Sequence, residues 1–348
     1  ITNAVIAQCG GRDGGLLSDG YLNEPQQCHF DPKSLLCAGA DAPTCLTATE
    51  VDAVEKVYSG PSDPATGLRL FPGFERGSEF GWVGFGAFIN NLWQNMIVED
   101  PTFDFHNFDY TNDVAFFDAK LAGRINSTDP DLSLFKARGG KLLMWHGWTD
   151  TTLEPRSSLN YYNSVVAVTG GGLRLSDRSG DDFVDDHDKD DEHHGHGRHN
   201  SPRESLEDTQ EFFRLFLAPG VNHCGGGQGP NSSFAYTLGN DVGAMDADHD
   251  ILAALDRWVE HGVAPSRLIS SHFTAGVADK TRPICAYPKI ARYKGNGDPN
   301  QPASWTCTDG MERFKTDYHD ELQNIRSDIK TGDLDNLPNG GFVKKPRH

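Results

Sequence analysis

The chain has 348 residues, 37% hydrophobic and 10% aromatic, enough to bury one large domain with an elaboration or two domains. Its formal charge of −19 at pH 7 argues against nucleic acid or an anionic membrane surface as a partner, since both would repel it. No apolar run approaches the roughly 18 to 20 residues of a membrane span, and "ITNAVIAQCGG" has neither a basic start nor a signal-type apolar block.

Residues 1 to about 128 are rich in Gly and Pro and carry few periodic helices. The exception is "LTATEVDAVEKVYSG". Here Thr47 and Glu50 form a capping box, and Val51, Val54 and Tyr58 fall on one helical face. The stretch "GFERGSEFGWVGFGAFINNLWQNMIVED" mixes aromatics and glycines at no clean period, and suits an irregular region that packs or faces a ligand.

From about residue 129 strands and helices alternate, the signature of an α/β sheet. "GGKLLMWHG" predicts a buried strand at 141–145, "SSLNYYNSVVAV" a helix with Leu159, Tyr162 and Val166 aligned, and "FFRLFLAPG" a second buried strand at 212–217. "HDILAALDRWVEHG" predicts a helix with Ile251, Leu255, Trp258 and Val259 inward and Gly262 at its end. Between them, residues 175–208 form an acidic segment with nine acids against three bases from Asp177 to His199. Too polar to offset its ordering entropy, it reads as a disordered insertion. Its five histidines, from His187 to His199, could bind a metal or merely be solvated.

Six of the seven cysteines fall into sequence-local couples: Cys9 with Cys28, Cys37 with Cys45, and Cys285 with Cys307. Their surroundings lack metal-ligand spacings, so disulfides are expected, each worth about 2–4 kcal/mol. The alternative is the reduced, buried cysteines of a cytosolic protein. With the sequons at Asn126 and Asn231, the pattern points to a secreted chain. Cys224 is left without a partner.

Reactive groups of open α/β sheets gather beyond the carboxyl ends of strands. Asp150 in "WHGWTD" and His223 in "PGVNHC" stand there in the acid-then-histidine order of the α/β hydrolases. His146 competes with His223 for the base role, and Asp241, Asp246 and Asp248 compete with Asp150. The G-x-S-x-G nucleophile elbow of such enzymes does not occur anywhere in the chain.

The chain resembles the tannase and feruloyl esterase family of secreted ester hydrolases from about residue 2 to 307. "CHFDPKSLLCAGADAPTCLTATEVDAVEKVYSGPSDPATGLRLFPGFERGSEFGW" is similar to its lid domain, and "KLLMWHGWTDTTLEP" to its acid motif. "FRLFLAPGVNHCGGG" is similar to its histidine motif, and "RPICAYPKIARYKGNGDPNQPASWTC" to its C-terminal disulfide region. The resemblance implies an α/β-hydrolase C-terminal portion over 129–348 with a disulfide-containing lid domain over 1–128. It also implies Asp150 as triad acid, His223 as base, and a disulfide from Cys224 to a cysteine preceding the nucleophilic serine.

No cysteine here is followed by serine, and the chain opens on Ile1 rather than Met. The expectation is therefore that the N-terminal part carrying the nucleophile lies outside these residues and that this chain alone is inactive. The family's lid also implies a calcium site in "CGGRDGGLLSDGYL", with carboxylates from Asp13 and Asp19 and carbonyls from Gly15 and Tyr21. Gly10 replaces the family's first Asp there, and the loop is two residues longer. The implied substrate is a small aromatic, plant-derived ester. The alternative is a truncated, non-catalytic protein that binds a ligand or a metal.

Overall fold

The computed structural model describes residues 1–67, 69–82, 90–170, 202–234 and 243–310. In the N-terminal part, helix α1 (Thr2–Cys9) buries Val5 and Cys9, and α2 (Ala48–Ser59) buries Val51 and Val54. The predicted capping box opens α2. Thr47 Oγ1 accepts from the Glu50 amide at 3.3 Å while Glu50 Oε2 accepts from the Thr47 amide at 2.8 Å. Two amides that a helix start leaves unpaired are thereby satisfied. The three expected disulfides are all formed. The aromatic and glycine-rich stretch packs where it is described: Trp93 meets the rings of Phe103, Phe108 and Phe117 at 5.4, 4.8 and 5.8 Å. Residues 83–89 of that stretch lie outside the described residues.

The second half is organised by two parallel strands. β1 (Leu142–Gly147) and β2 (Phe213–Ala218) pair in register from Leu142 opposite Phe213 to Gly147 opposite Ala218. A parallel pair requires a long crossover, and here it contains α3 (Pro155–Val165) and α4 (Pro202–Gln210). α3 begins at Pro155, whose fixed φ and missing amide suit the first helical position. Strand β2 is buried on both faces, as parallel strands usually are. Phe213, Leu215 and Leu217 pack with Leu159, Tyr162 and Val165 to Val168; Phe216 and Ala218 pack with Ile251, Ala254, Leu268 and Ile284. Each fully buried large side chain contributes about 1.5–3 kcal/mol.

Two sequence expectations need correction here. Of the segment 175–208 expected to be disordered, residues 202–208 belong to α4, which buries Ser205 and Thr209 against Gly170. The segment's histidines, His187 to His199, lie outside the described residues. In α5 (Ile251–His261) the buried residues are Ile251, Ala254 and Trp258, while Val259 is exposed and Leu255 only half-buried. The face is set by the small Ala254, which allows close approach to the β2 core. Gly262 closes α5 in a left-handed conformation, as expected.

Beyond α5 the chain forms two antiparallel hairpin pairs. β3 (Arg267–Thr274) pairs with β4 (Val277–Cys285), and β5 (Lys289–Tyr293) pairs with β6 (Trp305–Asp309). The N-terminal region packs directly on these strands. Asn23 Nδ2 donates to the Ala291 carbonyl at 2.8 Å, and the Tyr293 amide donates to the Gly14 carbonyl at 3.0 Å.

At the carboxyl end of the parallel pair, β1 and the loop after β2 touch backbone to backbone. A Cβ on Gly147 would stand 2.1 Å from the Val221 carbonyl oxygen. Gly147→Ala is expected to cost about 1–3 kcal/mol, read as a lower urea midpoint with the slope unchanged.

Candidate active site

Asp150 sits three residues beyond β1, held by a tight turn in which its own amide donates to the Gly147 carbonyl at 3.1 Å. The loop after β2 is stitched to that turn. The Thr149 amide donates to the Val221 carbonyl at 3.0 Å, and Thr149 Oγ1 donates to Asn222 Oδ1 at 2.9 Å. His223 is thereby delivered to the acid across 73 residues of sequence: its Nδ1 lies 2.9 Å from Asp150 Oδ2.

Asp150 is only 3% exposed, whereas the His223 side chain is 43% exposed. Burial alone would raise the Asp150 carboxyl. Hydrogen bonds from His146 and His223 and from the Leu153 and Thr152 amides outweigh it and hold the carboxyl below the usual range. Oδ1 accepts from the Thr152 and Leu153 amides at 2.7 and 3.1 Å, leaving Oδ2 to the imidazoles. An ionised carboxylate can only accept, so His223 carries its proton on Nδ1. In the neutral ring Nε2 is then the bare nitrogen, and no hydrogen bond engages it among the described residues. That is the atom a general base requires.

His146 does not stand in for His223. Its Nε2 lies 3.0 Å from the same Asp150 oxygen and its side chain is 12% exposed, so it sits behind the acid. The competing acids are occupied elsewhere: Asp246 bonds His249, and Asp248 pairs with Arg257. Asp241 lies outside the described residues. Cys224 is free and exposed, and takes a φ of 57°, a left-handed value uncommon for a non-glycine residue.

The similarity to known proteins follows the same elements. A profile of the tannase and feruloyl esterase family matches residues 1–308. The chain belongs to that family. An uncharacterized esterase of Xanthomonas campestris is 34% identical over 337 residues, covering 89% of this chain and 54% of that protein. A probable feruloyl esterase B of Emericella nidulans is 28% identical, covering 88% of this chain and 53% of that protein. The crystal structure of feruloyl esterase B from Aspergillus oryzae superposes with a TM-score of 0.70 at 25% identity, covering 88% of this chain and 55% of that one. The chain thus spans about half the length of these curated relatives.

The residues expected to hold calcium are placed differently from a cation site. The Asp19 carboxylate accepts from Arg282 at 2.9 Å, both side chains being 5% exposed, so a guanidinium already supplies the positive charge. Asp13 accepts from the amides of Gly15, Asn23 and Glu24. Among the described residues no group of three or more His, Cys, Asp or Glu side chains is disposed to hold a metal ion. The Tyr21 ring instead lies under the histidine loop, where a Cβ on Gly220 (φ 65°) would meet it at 2.6 Å. The Asp13 and Asp19 carboxylates are thus already engaged by amides and a guanidinium, an arrangement that does not favour calcium, and of the four residues Tyr21 packs under the turn that carries His223. The sequence could not show this, because Arg282 lies 263 residues from Asp19.

Added calcium is accordingly expected to leave the melting temperature unchanged, whereas Arg282→Leu, which strands a buried carboxylate, should cost about 3–5 kcal/mol in denaturant unfolding.

Burial pushes the Glu24 carboxyl up to about 8, with Glu75 adding to the rise, and pushes Glu154 up to about 7. Both are raised above the unfolded value of about 4.3, so the fold binds more protons than the unfolded chain between those limits. Their contribution is greatest below that unfolded value and is lost as pH rises toward the folded values. Glu24→Gln and Glu154→Gln are each expected to flatten the fall in unfolding free energy across that interval, measured by urea melts at successive pH.

Proposed function

We propose that this chain is the acid and base portion of a carboxylic ester hydrolase acting on small aromatic, plant-derived esters such as feruloyl or galloyl esters. The observation that carries the reading is the Asp150–His223 pair: a buried, ionised carboxylate on Nδ1, with Nε2 unengaged among the described residues on a half-exposed ring. The substrate class follows from membership of the tannase and feruloyl esterase family.

In this reading a serine outside these 348 residues is the nucleophile. His223 Nε2 takes the serine proton as Oγ attacks the ester carbonyl, then returns it to the departing alcohol. In deacylation Nε2 takes a proton from water, and the acid leaves as the serine recovers its own. Asp150 keeps its negative charge throughout and stabilises the imidazolium. Cys224, beside His223, would form a disulfide with a cysteine preceding the serine, tying base to nucleophile. The three disulfides support an oxidising, extracellular setting. Within it Asn126 is the open sequon, since the Asn231 side chain is buried and donates to the Gly226 carbonyl.

The test is turnover of methyl ferulate and methyl gallate. The chain alone is expected to release no acid above background, because an acid and a base without a nucleophile cannot form the acyl-enzyme. The longer product encoded from upstream of Ile1 is expected to carry a Cys-Ser pair, to be active, and to lose about 10⁴-fold in kcat on Asp150→Asn. Hydrolysis by the chain alone that a serine-directed phosphonate blocks would overturn the placement of the nucleophile. A longer product with no Cys-Ser pair and no activity would overturn the esterase reading.

A further inference from the structure

Asp150 serves two imidazoles with one oxygen. Oδ2 stands 2.9 Å from His223 Nδ1 and 3.0 Å from His146 Nε2. His146 Nε2 also lies 3.0 Å from the Leu153 carbonyl, and its Nδ1 lies 2.7 Å from Ser158 Oγ on α3. Only one neutral tautomer satisfies this set. With the proton on Nε2, the ring donates to a carboxylate and a carbonyl, neither of which can donate, and Nδ1 accepts the Ser158 hydroxyl proton. With the proton on Nδ1, a bare nitrogen would face two acceptors in a buried site, at the cost of unmade bonds.

We propose that His146 is a positioning residue for the esterase reaction read above: its Nε2–H, its tautomer fixed by Ser158, keeps Asp150 an ionised acceptor aimed at His223.

The physical need lies in the burial of the acid. A carboxylate that is 3% exposed tends to take up a proton unless donors offset its lost hydration. The two amides on Oδ1 fix its plane, but without His146 they would leave Oδ2 with His223 alone. His223 keeps its Nδ1–H on Oδ2, but its ring charge and position change during turnover, so it does not hold the acid independently of the reaction. His146, which sits at the end of β1 away from solvent, can. The titratable groups facing it are Asp150, His223 through the shared oxygen, and Glu154 before α3, which couples to both Asp150 and His146 and is raised by burial to about 7. If Asp150 became protonated it would donate to His223 Nδ1, move that ring's proton to Nε2 and remove the base.

The experiment uses this chain and needs no ester. Carbon-13 NMR follows the Asp150 carboxyl through a pH titration, and nitrogen-15 shifts report the tautomers of His146 and His223. His146→Gln places an amide donor where Nε2 stood; His146→Asn places its amide nearer the old Nδ1 and leaves Oδ2 one donor short. Expected are an Asp150 midpoint displaced to higher pH in the asparagine variant and near wild-type behaviour in the glutamine variant. The same Asp150 midpoint in both variants and the wild type would overturn the proposal. So would a wild-type His146 carrying its proton on Nδ1 rather than Nε2, an observation that requires no variant to fold. Failure of the longer product to hydrolyse esters would sink the esterase reading while leaving these NMR outcomes readable.

Discussion

The geometry of the site depends on one buried negative charge. Asp150 is withdrawn from water and stays ionised because four donors converge on it, two amides from its own turn and two imidazoles. Removing a partner from such a group costs more than the net worth of any one bond, because the remaining charge loses its compensation. The requirement propagates outward. The amides demand the tight turn after β1, the turn demands a glycine at 147, and that glycine admits the Val221 carbonyl on which the histidine loop hangs.

Much of this was legible in the sequence because it rests on local pattern. The capping box of α2, the two apolar runs that became β1 and β2, and the cysteine couples are all short-range signals. Asp150 and His223 were legible for a related reason: each follows its strand by a few residues, so placing the strands places the acid and the base. The extent of α4 was hidden because Ser205 and Thr209 are polar by composition. They are buried only by the close approach that Gly170 allows.

The N-terminal loop is a different case, because the calcium expected there came from the family resemblance. In the fold the partner of Asp19 is a cation contributed by β4, far away in sequence, which also stacks on the Trp305 ring at 4.7 Å. Composition records what a loop can offer and carries no information about what is brought to it. The same holds for His146, whose spacing of four from Asp150 in "HGWTD" was visible. Its role depends on Ser158 and Leu153, which only the fold brings beside it.

The turn carrying His223 rests on residues from both ends of the described chain. Tyr21 fills the space beneath Gly220, a Cβ on Gly20 would meet Gln228 Oε1 at 2.8 Å, and Arg282 fastens Asp19 from the other side. The N-terminal region is in this respect a foundation and not a detachable cover. Exchanging it wholesale with that of a homologue, in order to change substrate preference, would unseat the base along with the specificity. A graft that respected the molecule would keep Cys9 to Cys28, with Arg282 opposite, and vary only what lies beyond.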